Sequence, residues 1–256
     1  MLFFHQTQAG EKNITLENTD FHSLIRVRRK KVDDTVIFVN LNDNSHNPTV
    51  NYYKYKISYI SKKHANVELI SHTKENKFTG KLHLFWGICE LKTITATLPT
   101  LNQMGVEKIT FVQCERSQGN IKLNNKILEK FNTILQSSCQ QCGRNSLIQI
   151  DEISFSDYIE YISTKTTEPN IPNNYICNFQ ENIFSNNEIL EFKKSTNNTE
   201  NTQYSFFIGP EGGFSPKEVT EFKQLEEKKY AHIRKFNTPL VLKSESACIA
   251  VAGFFL

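Results

Sequence analysis

Residues 204–219, YSFFIGPEGGFSPKEV, constrain the fold of this chain more than any other stretch. Residues 204–208 are apolar but for one serine and have the length of a buried strand. A turn carrying Gly209, Gly212 and Gly213 follows, and then a helix start that needs no help. Ser215 is a good N-cap, Pro216 suits the first helical position, and Glu218 completes a capping box. Since the helix is specified by its own residues, the glycines must serve something else. In α/β proteins a turn at the carboxyl end of a strand is where ligands meet the backbone, and glycine permits a close approach.

The same strand-and-helix grammar runs through the second part of the chain only. Up to about His72 the text is β-branched and aromatic, as in DTVIFVN, YYKYKISYI and HANVELI, broken by turns rich in Asn, Asp and Lys; this predicts a small all-β module. Residues 74–80, KENKFTG, read as a polar linker. After them come LHLFWGIC as a buried strand and a helical stripe at Leu91, Ile94, Leu98 and Leu101, with Pro99 expected to kink or shorten it. KITFVQ is the next strand, a helix over about 124–142 ends at Gly143, and SLIQI is the third strand. NYICNF and YSFFIG are the fourth and fifth, and helices over about 216–228 and 245–256 complete the pattern. Alternating strands and helices imply a parallel sheet with right-handed crossovers.

Composition sets the limits. At 256 residues the chain can form two modest domains, each with its own core. A net charge of +3 argues neither for nor against nucleic acid, but RVRRKK gathers five cations between Arg26 and Lys31. No run approaches the roughly eighteen apolar residues needed to span a bilayer, and no signal-peptide plan opens the chain, so a cytoplasmic protein is expected. The six cysteines are expected to be reduced. Cys139 and Cys142 extend the apolar stripe of Leu128, Phe131 and Leu135, which favours core packing over a metal, and no metal is expected.

Chemistry concentrates at element ends. The turn after residue 208 lacks the Lys-Ser/Thr pair of a phosphate loop and the spacing of a dinucleotide fingerprint. Near the C-terminus NTPLVLKSESACIA sets an apolar loop before a Lys-Ser-Glu-Ser cluster. QCERSQG places Glu115, Arg116 and Ser117 after the second strand, and CQQCGRN places Arg144 after a helix. Taken in order, CERS, CQQCGRN, IGPEGGFS and VLKSES, following a β-rich module with FHSLIRVRRKK, resemble the RsmE family of 16S ribosomal RNA methyltransferases. The resemblance covers nearly the whole chain.

That resemblance implies a PUA-like RNA-binding β-barrel over residues 1–73 and an α/β SPOUT methyltransferase domain with a trefoil knot over residues 78–256. It further implies S-adenosyl-L-methionine as cofactor, a homodimer, and methylation of uridine N3 in 16S ribosomal RNA, free or in the assembled small subunit. By the same match, Ile208, Gly209, Pro210, Glu211, Gly212 and Gly213 form one wall of the cofactor pocket, and Phe236, Asn237, Pro239, Leu240 and Leu242 the other, with Phe179 beside them. Glu245 is the expected base or anchor, Lys243 and Arg116 stabilise an anion, and Arg26, Arg28, Arg29 and Arg144 bind RNA. Thr238, Leu240 and Lys243 stand where the family usually has glycine and two arginines, and lysine lacks arginine's two-pronged fork. Those departures keep two alternatives in view: an RNA-binding assembly factor of this fold without methyl transfer, or a SPOUT enzyme acting at another RNA position.

Overall fold

The computed structural model describes residues 2–42, 47–118, 122–165, 173–178, 182–196 and 203–256. The chain divides into two compact units, one of residues 1–78 and 136–147, the other of residues 79–135 and 148–256.

The first unit is a curled, mixed half-barrel. Its strands are β1 (Phe4–His5), β2 (Asn13–Leu16), β3 (Thr35–Val39), β4 (Thr49–Ile60) and β5 (Ala65–Asn76), in the order β1-β3-β4-β5-β2. β4 explains how one hairpin serves two cores. Val50 and Tyr52 are buried at alternate positions, then a register shift between Lys54 and Tyr55 changes the parity, so that Tyr55 and Ile57 are the buried pair beyond it. Val50 and Tyr52 pack with Phe3, Val39, Leu41 and Cys139, whereas Tyr55 and Ile57 pack with Ile14, Leu16, Val36, Phe38 and Val67.

Three expectations for this unit need correction. FHSLIRV is no strand: α1 (Asn18–Phe21) runs directly into a π-helical turn, His22–Val27. Phe21 and Leu24 are both buried, and their three-residue spacing is helical rather than alternating. Arg26 and Arg28 therefore do not alternate with Arg29 across the faces of a strand, as an all-β module would place them. Residues 74–76 are not linker but the end of β5, held by pairing with residues 49–51 of β4. Cys142 is exposed, whereas Cys139 at the same helix end is fully buried, so only the latter packs a core.

The second unit is a six-stranded parallel sheet covered by helices. Its strands are β6 (Leu82–Gly87), β7 (Val106–Gln113), β8 (Gln149–Ser154), β9 (Asn174–Cys177), β10 (Tyr204–Ile208) and β11 (His232–Arg234), in the order β11-β9-β10-β6-β7-β8. Between them come α2 (Leu91–Gln103), α3 (Asn125–Cys142), α4 (Phe155–Lys165), α5 (Asn186–Thr196) and α6 (Pro216–Glu227), and α7 (Ser244–Gly253) follows the last strand. α3 contributes its first turns, to Leu135, to this unit and its last residues to the other. Every residue of the central strands β6 and β10 is buried, as neighbours on both edges and helices on the faces require.

Pro99 does not shorten α2, which continues through it to Gln103 with Leu98 and Leu101 fully buried. The third strand begins three residues later than SLIQI suggests, because β8 takes its register from β7, Lys108 opposite Gln149 through Gln113 opposite Ser154. α4, α5 and β11 have no counterpart in the sequence reading. Both helices nonetheless carry start signals: the Asp157 carboxylate accepts from the Ser154 N–H (3.2 Å), and the Glu188 carboxylate accepts from the Ser185 N–H (2.7 Å).

The Tyr55 hydroxyl, at the bulge, accepts from the Gly10 N–H and donates to the Glu11 carbonyl, both at 2.8 Å. Tyr55→Phe leaves that N–H without its acceptor and should lower stability by about 1–2 kcal/mol. Urea unfolding followed by far-UV circular dichroism measures it; an unchanged midpoint would show that the hydroxyl does not brace the bulge.

Candidate active site

β9, β10 and β11 are parallel neighbours, so their carboxyl ends open on one side, where ligands of such sheets bind. A cleft of about 1340 Å³ lies there. One wall is the turn after β10, from Ile208 to Phe214, continued by Pro216, Val219 and Lys223 of α6; the other runs from Lys235 and Phe236 through Thr238, Pro239, Leu240, Val241, Leu242 and Lys243 into Ser244 and Glu245 of α7. Glu90, Thr93 and Arg116 also line it, as do Cys177, the last residue of β9, and Asn178 after it.

The turn is shaped by contacts that glycine alone allows. A Cβ on Gly87 would lie 2.5 Å from both the nitrogen and Cδ of Pro210, so the end of β6 must be bare for the turn to cross it. Gly213 has φ +67°, a left-handed conformation costly for other residues, and turns back so that its N–H meets the Pro210 carbonyl at 2.9 Å. Gly212 has ordinary φ, and a Cβ there would lie 3.1 Å from the Cβ of Arg116. Close approach at Gly212 is thus to the neighbouring loop.

That loop, residues 114–118, grips the turn with polar groups. The Glu218 carboxylate, buried at the start of α6, accepts from the Ser215 N–H and the Glu115 N–H, each at 2.8 Å. Arg116 donates through Nη1 to the carbonyls of Gly212 (3.4 Å) and Phe214 (3.2 Å), and Gln118 donates to Glu211 (2.5 Å). Across the turn, Thr93 Oγ1 donates to Glu211 at 3.5 Å.

Four cations, Arg116, Lys223, Lys235 and Lys243, and three carboxylates, Glu90, Glu211 and Glu245, line the cleft. This mixed lining suits a ligand that is itself of mixed charge better than a bare polyanion. Thiol chemistry does not fit. Burial pushes the Cys177 thiol well up, and at Cys89 burial, reinforced by Glu211 and Glu245, raises it to about 12, so both stay protonated at neutral pH. Among the described residues no cluster of His, Cys, Asp or Glu could hold a metal ion, and no helix is long and apolar enough to cross a membrane.

The structure brings Ile208 to Gly213, Phe236, Pro239, Leu240, Leu242, Lys243, Glu245 and Arg116 onto one cleft. Asn237 is exposed and not on its wall, because the Thr238 N–H bonds the Phe236 carbonyl (2.9 Å) and leaves Asn237 at the apex of a tight turn. Phe179 lies outside the described residues. Arg144 is not an open cation: it is 6% exposed, its Nε donates to the Ser146 carbonyl at 2.9 Å, and its guanidinium stacks on Phe78. Arg26, Arg28 and Arg29 are exposed, Arg28 over the Phe4 ring. Thr93, Gln118, Asn178 and Ser244 are not among the residues the sequence singles out; Thr93 and Asn178 carry no motif, whereas Gln118 and Ser244 stand inside the QCERSQG and VLKSES segments.

A family model described as an RNA methyltransferase domain matches residues 74–255. The chain is 33% identical to ribosomal RNA small subunit methyltransferase E of Helicobacter pylori strain J99 over 258 aligned positions, covering 99% of this chain and 98% of that protein. It belongs to that family. A family protein from Borreliella burgdorferi, ribosomal RNA small subunit methyltransferase E 2, is 27% identical over 96% of this chain and 92% of its own. The crystal structure of the methyltransferase E from Neisseria gonorrhoeae, bound to S-adenosylmethionine, has the same fold, with a TM-score of 0.68 at 17% identity and coverage of 99% and 95% of the two chains.

Every cleft-lining residue of this methyltransferase E family member falls within the span matched by the family model. Two glycine variants separate crowding from conformation. Gly213→Ala meets no atom within 4 Å and bears only the left-handed strain, about 1–2 kcal/mol. Gly87→Ala must push the turn aside, so calorimetric melting should show the larger loss there. Equal midpoints for the two would refute the packing of Pro210 on Gly87.

Proposed function

We propose that this chain methylates N3 of a uridine in 16S ribosomal RNA, with S-adenosyl-L-methionine as donor, acting as a cytoplasmic homodimer. The observation that carries the reading is the cleft between the glycine turn and the 236–245 segment, in a chain of this family. Its walls fit an adenosine: the apolar surfaces of Ile208, Pro210, Leu240 and Leu242 offer stacking area, and the turn presents backbone rather than bulky side chains. The volume leaves room for a nucleobase as well.

When bound, the cofactor supplies an electrophilic methyl group. The rest falls to the chain. Uracil N3 carries an imide proton, and its lone pair is a nucleophile only once that proton leaves. Glu245, half-buried in the first turn of α7 and facing the cleft, is the group to accept or anchor that proton. Lys243, exposed at the N-cap of the same helix, and Arg116 opposite stabilise the uracil anion. Arg116 also holds the turn through Gly212 and Phe214, so its removal affects both charge and shape.

Glu245→Gln should keep cofactor affinity while kcat falls about 10²- to 10⁴-fold, the usual worth of a positioned acid or base. Mass spectrometry of small-subunit RNA from deletion and complemented cells should show 3-methyluridine only in the latter. Identical spectra, or methyl transfer to a ribose hydroxyl, would rule out the assignment. Absence of S-adenosylmethionine binding in calorimetry would favour the assembly-factor reading instead.

RNA docking falls to the first unit, where Arg26 is exposed in the π-helical turn, Arg28 is exposed at its C-cap, and Arg29 follows with φ +54°. The double variant Arg26→Ala, Arg28→Ala should weaken RNA binding and reduce the salt slope by roughly one unit for each phosphate no longer neutralised, with cofactor affinity unchanged. An unchanged slope refutes the docking role. Leu240 and Val241, 72% and 73% exposed on the cleft segment, are the surface we assign to dimer contact. Sedimentation giving a monomer mass at micromolar concentration would overturn that part.

A further inference from the structure

Trp86, the single tryptophan of the chain, is fully buried at the end of β6. An indole N–H can only donate, and here it donates to Ser244 Oγ at 2.7 Å. The serine proton is therefore directed onward, and Ser244 Oγ donates to the Gly209 carbonyl at 2.5 Å. The result is a buried relay of fixed polarity from β6 through the first residue of α7 to the root of the glycine turn. A serine at a helix start commonly uses its hydroxyl on the helix's own N–H groups. α7 has no side-chain cap of that kind, and Ser244 uses its hydroxyl on the turn instead.

The bond also bears on the shape of the cleft. Gly209 precedes Pro210, whose nitrogen and Cδ lie against Gly87, and its carbonyl shares a planar peptide with that nitrogen, so Gly87 and the Ser244 hydroxyl hold the same peptide plane from two sides. Ser244 is also the immediate neighbour of Lys243 and Glu245, both on the opposite wall. We propose that Ser244 is a positioning residue: its hydroxyl, oriented by Trp86, locks the Gly209 peptide and fixes the separation between the turn that receives the cofactor and the carboxylate that faces the uracil. This rests on the methyltransferase reading above.

The test is calorimetric titration with S-adenosylhomocysteine of the unaltered protein and of Ser244→Ala, Ser244→Cys, Ser244→Thr and Trp86→Phe, with kcat and thermal midpoints alongside. Losing the hydroxyl in Ser244→Ala should raise Kd about tenfold and lower kcat as well, as expected when a buried donor and acceptor lose their shared partner. Ser244→Cys, which keeps the shape of the side chain in a somewhat larger form but donates weakly, should behave alike should the alanine variant not fold. Ser244→Thr restores the hydroxyl and should stay within about threefold of the parent, and Trp86→Phe, which spares the final bond to Gly209, should fall between. A lower melting point with unchanged Kd and kcat in Ser244→Ala and Ser244→Cys would reduce the residue to a structural one and overturn the proposal alone. No binding by the unaltered protein would overturn both the proposal and the reading beneath it.

Discussion

The turn after β10 must cross the end of β6, and it can do so only because Gly87 has no side chain. β6 and β10 pair in register to Trp86 opposite Ile208, so the chain leaving β10 meets the next residue of β6 at backbone distance. With Pro210 seated there, the Phe214 ring comes back over Gly209 and packs edge-on against Phe207 and Phe222. That ring cluster belongs to the core formed by Phe85, Tyr158, Ile176 and Ile233. The cleft wall is thus continuous with the hydrophobic core, and its shape has the rigidity of close packing rather than of a surface loop.

Polar contacts then do what packing cannot, because the turn also faces solvent. The buried Glu218 carboxylate joins the start of α6 to the loop after β7, using one side chain to satisfy both the Ser215 and the Glu115 N–H groups. Such a shared acceptor couples two segments that no strand pairing connects. A comparable junction closes the far edge of the sheet, where Arg234 of β11 bonds Glu188 of α5 (2.9 Å) and Glu226 of α6 (3.4 Å). Burial would raise the Glu188 pKa, but the Ser185 donors and Arg234 outweigh it and the pKa is lowered. Its folded pKa therefore lies below the unfolded one, so this group's contribution is present above its ordinary carboxylate value and fades as pH falls through the depressed value.

The first unit solves a different problem. A single twelve-residue hairpin strand, β4, must face two small cores, and a bulge at Lys54 and Tyr55 lets it change faces in mid-course. Residues 136–147 complete one of those cores with Cys139 and Leu147, so a helix begun in the second unit ends as part of the first. Arg144 belongs to that completion, its guanidinium stacked on Phe78 while Asn145 bonds the Phe78 N–H at 2.7 Å. Arg26, Arg28, Arg29 and Lys31 of this unit are, by contrast, exposed.

What was legible in the sequence was local. Alternation of strand and helix pointed to the parallel sheet, the serine, proline and glutamate at 215–218 to the start of α6, and three glycines in a turn to the cleft. Ser154 with Asp157 and Ser185 with Glu188 were equally readable signals for α4 and α5, since a capping box is written within four residues. Other features depend on partners distant in sequence. The parity change in β4 comes from its pairing with β5, the start of β8 from its pairing with β7, and the extension of β5 through residues 74–76 from β4. The helical path of residues 18–27 follows from burying Phe21 and Leu24 on one side, a preference that the run of arginines and β-branched residues concealed. Likewise Gly212 and Gly213 look interchangeable in the text, and only the fold assigns the left-handed turn to one and the crowded contact to the other. Sequence determines what a residue can do within its own turn or strand. Which of those capacities is used at Gly87, Ser244 or Arg144 is decided by Pro210, Trp86 and Phe78, neighbours that only the folded chain brings beside them.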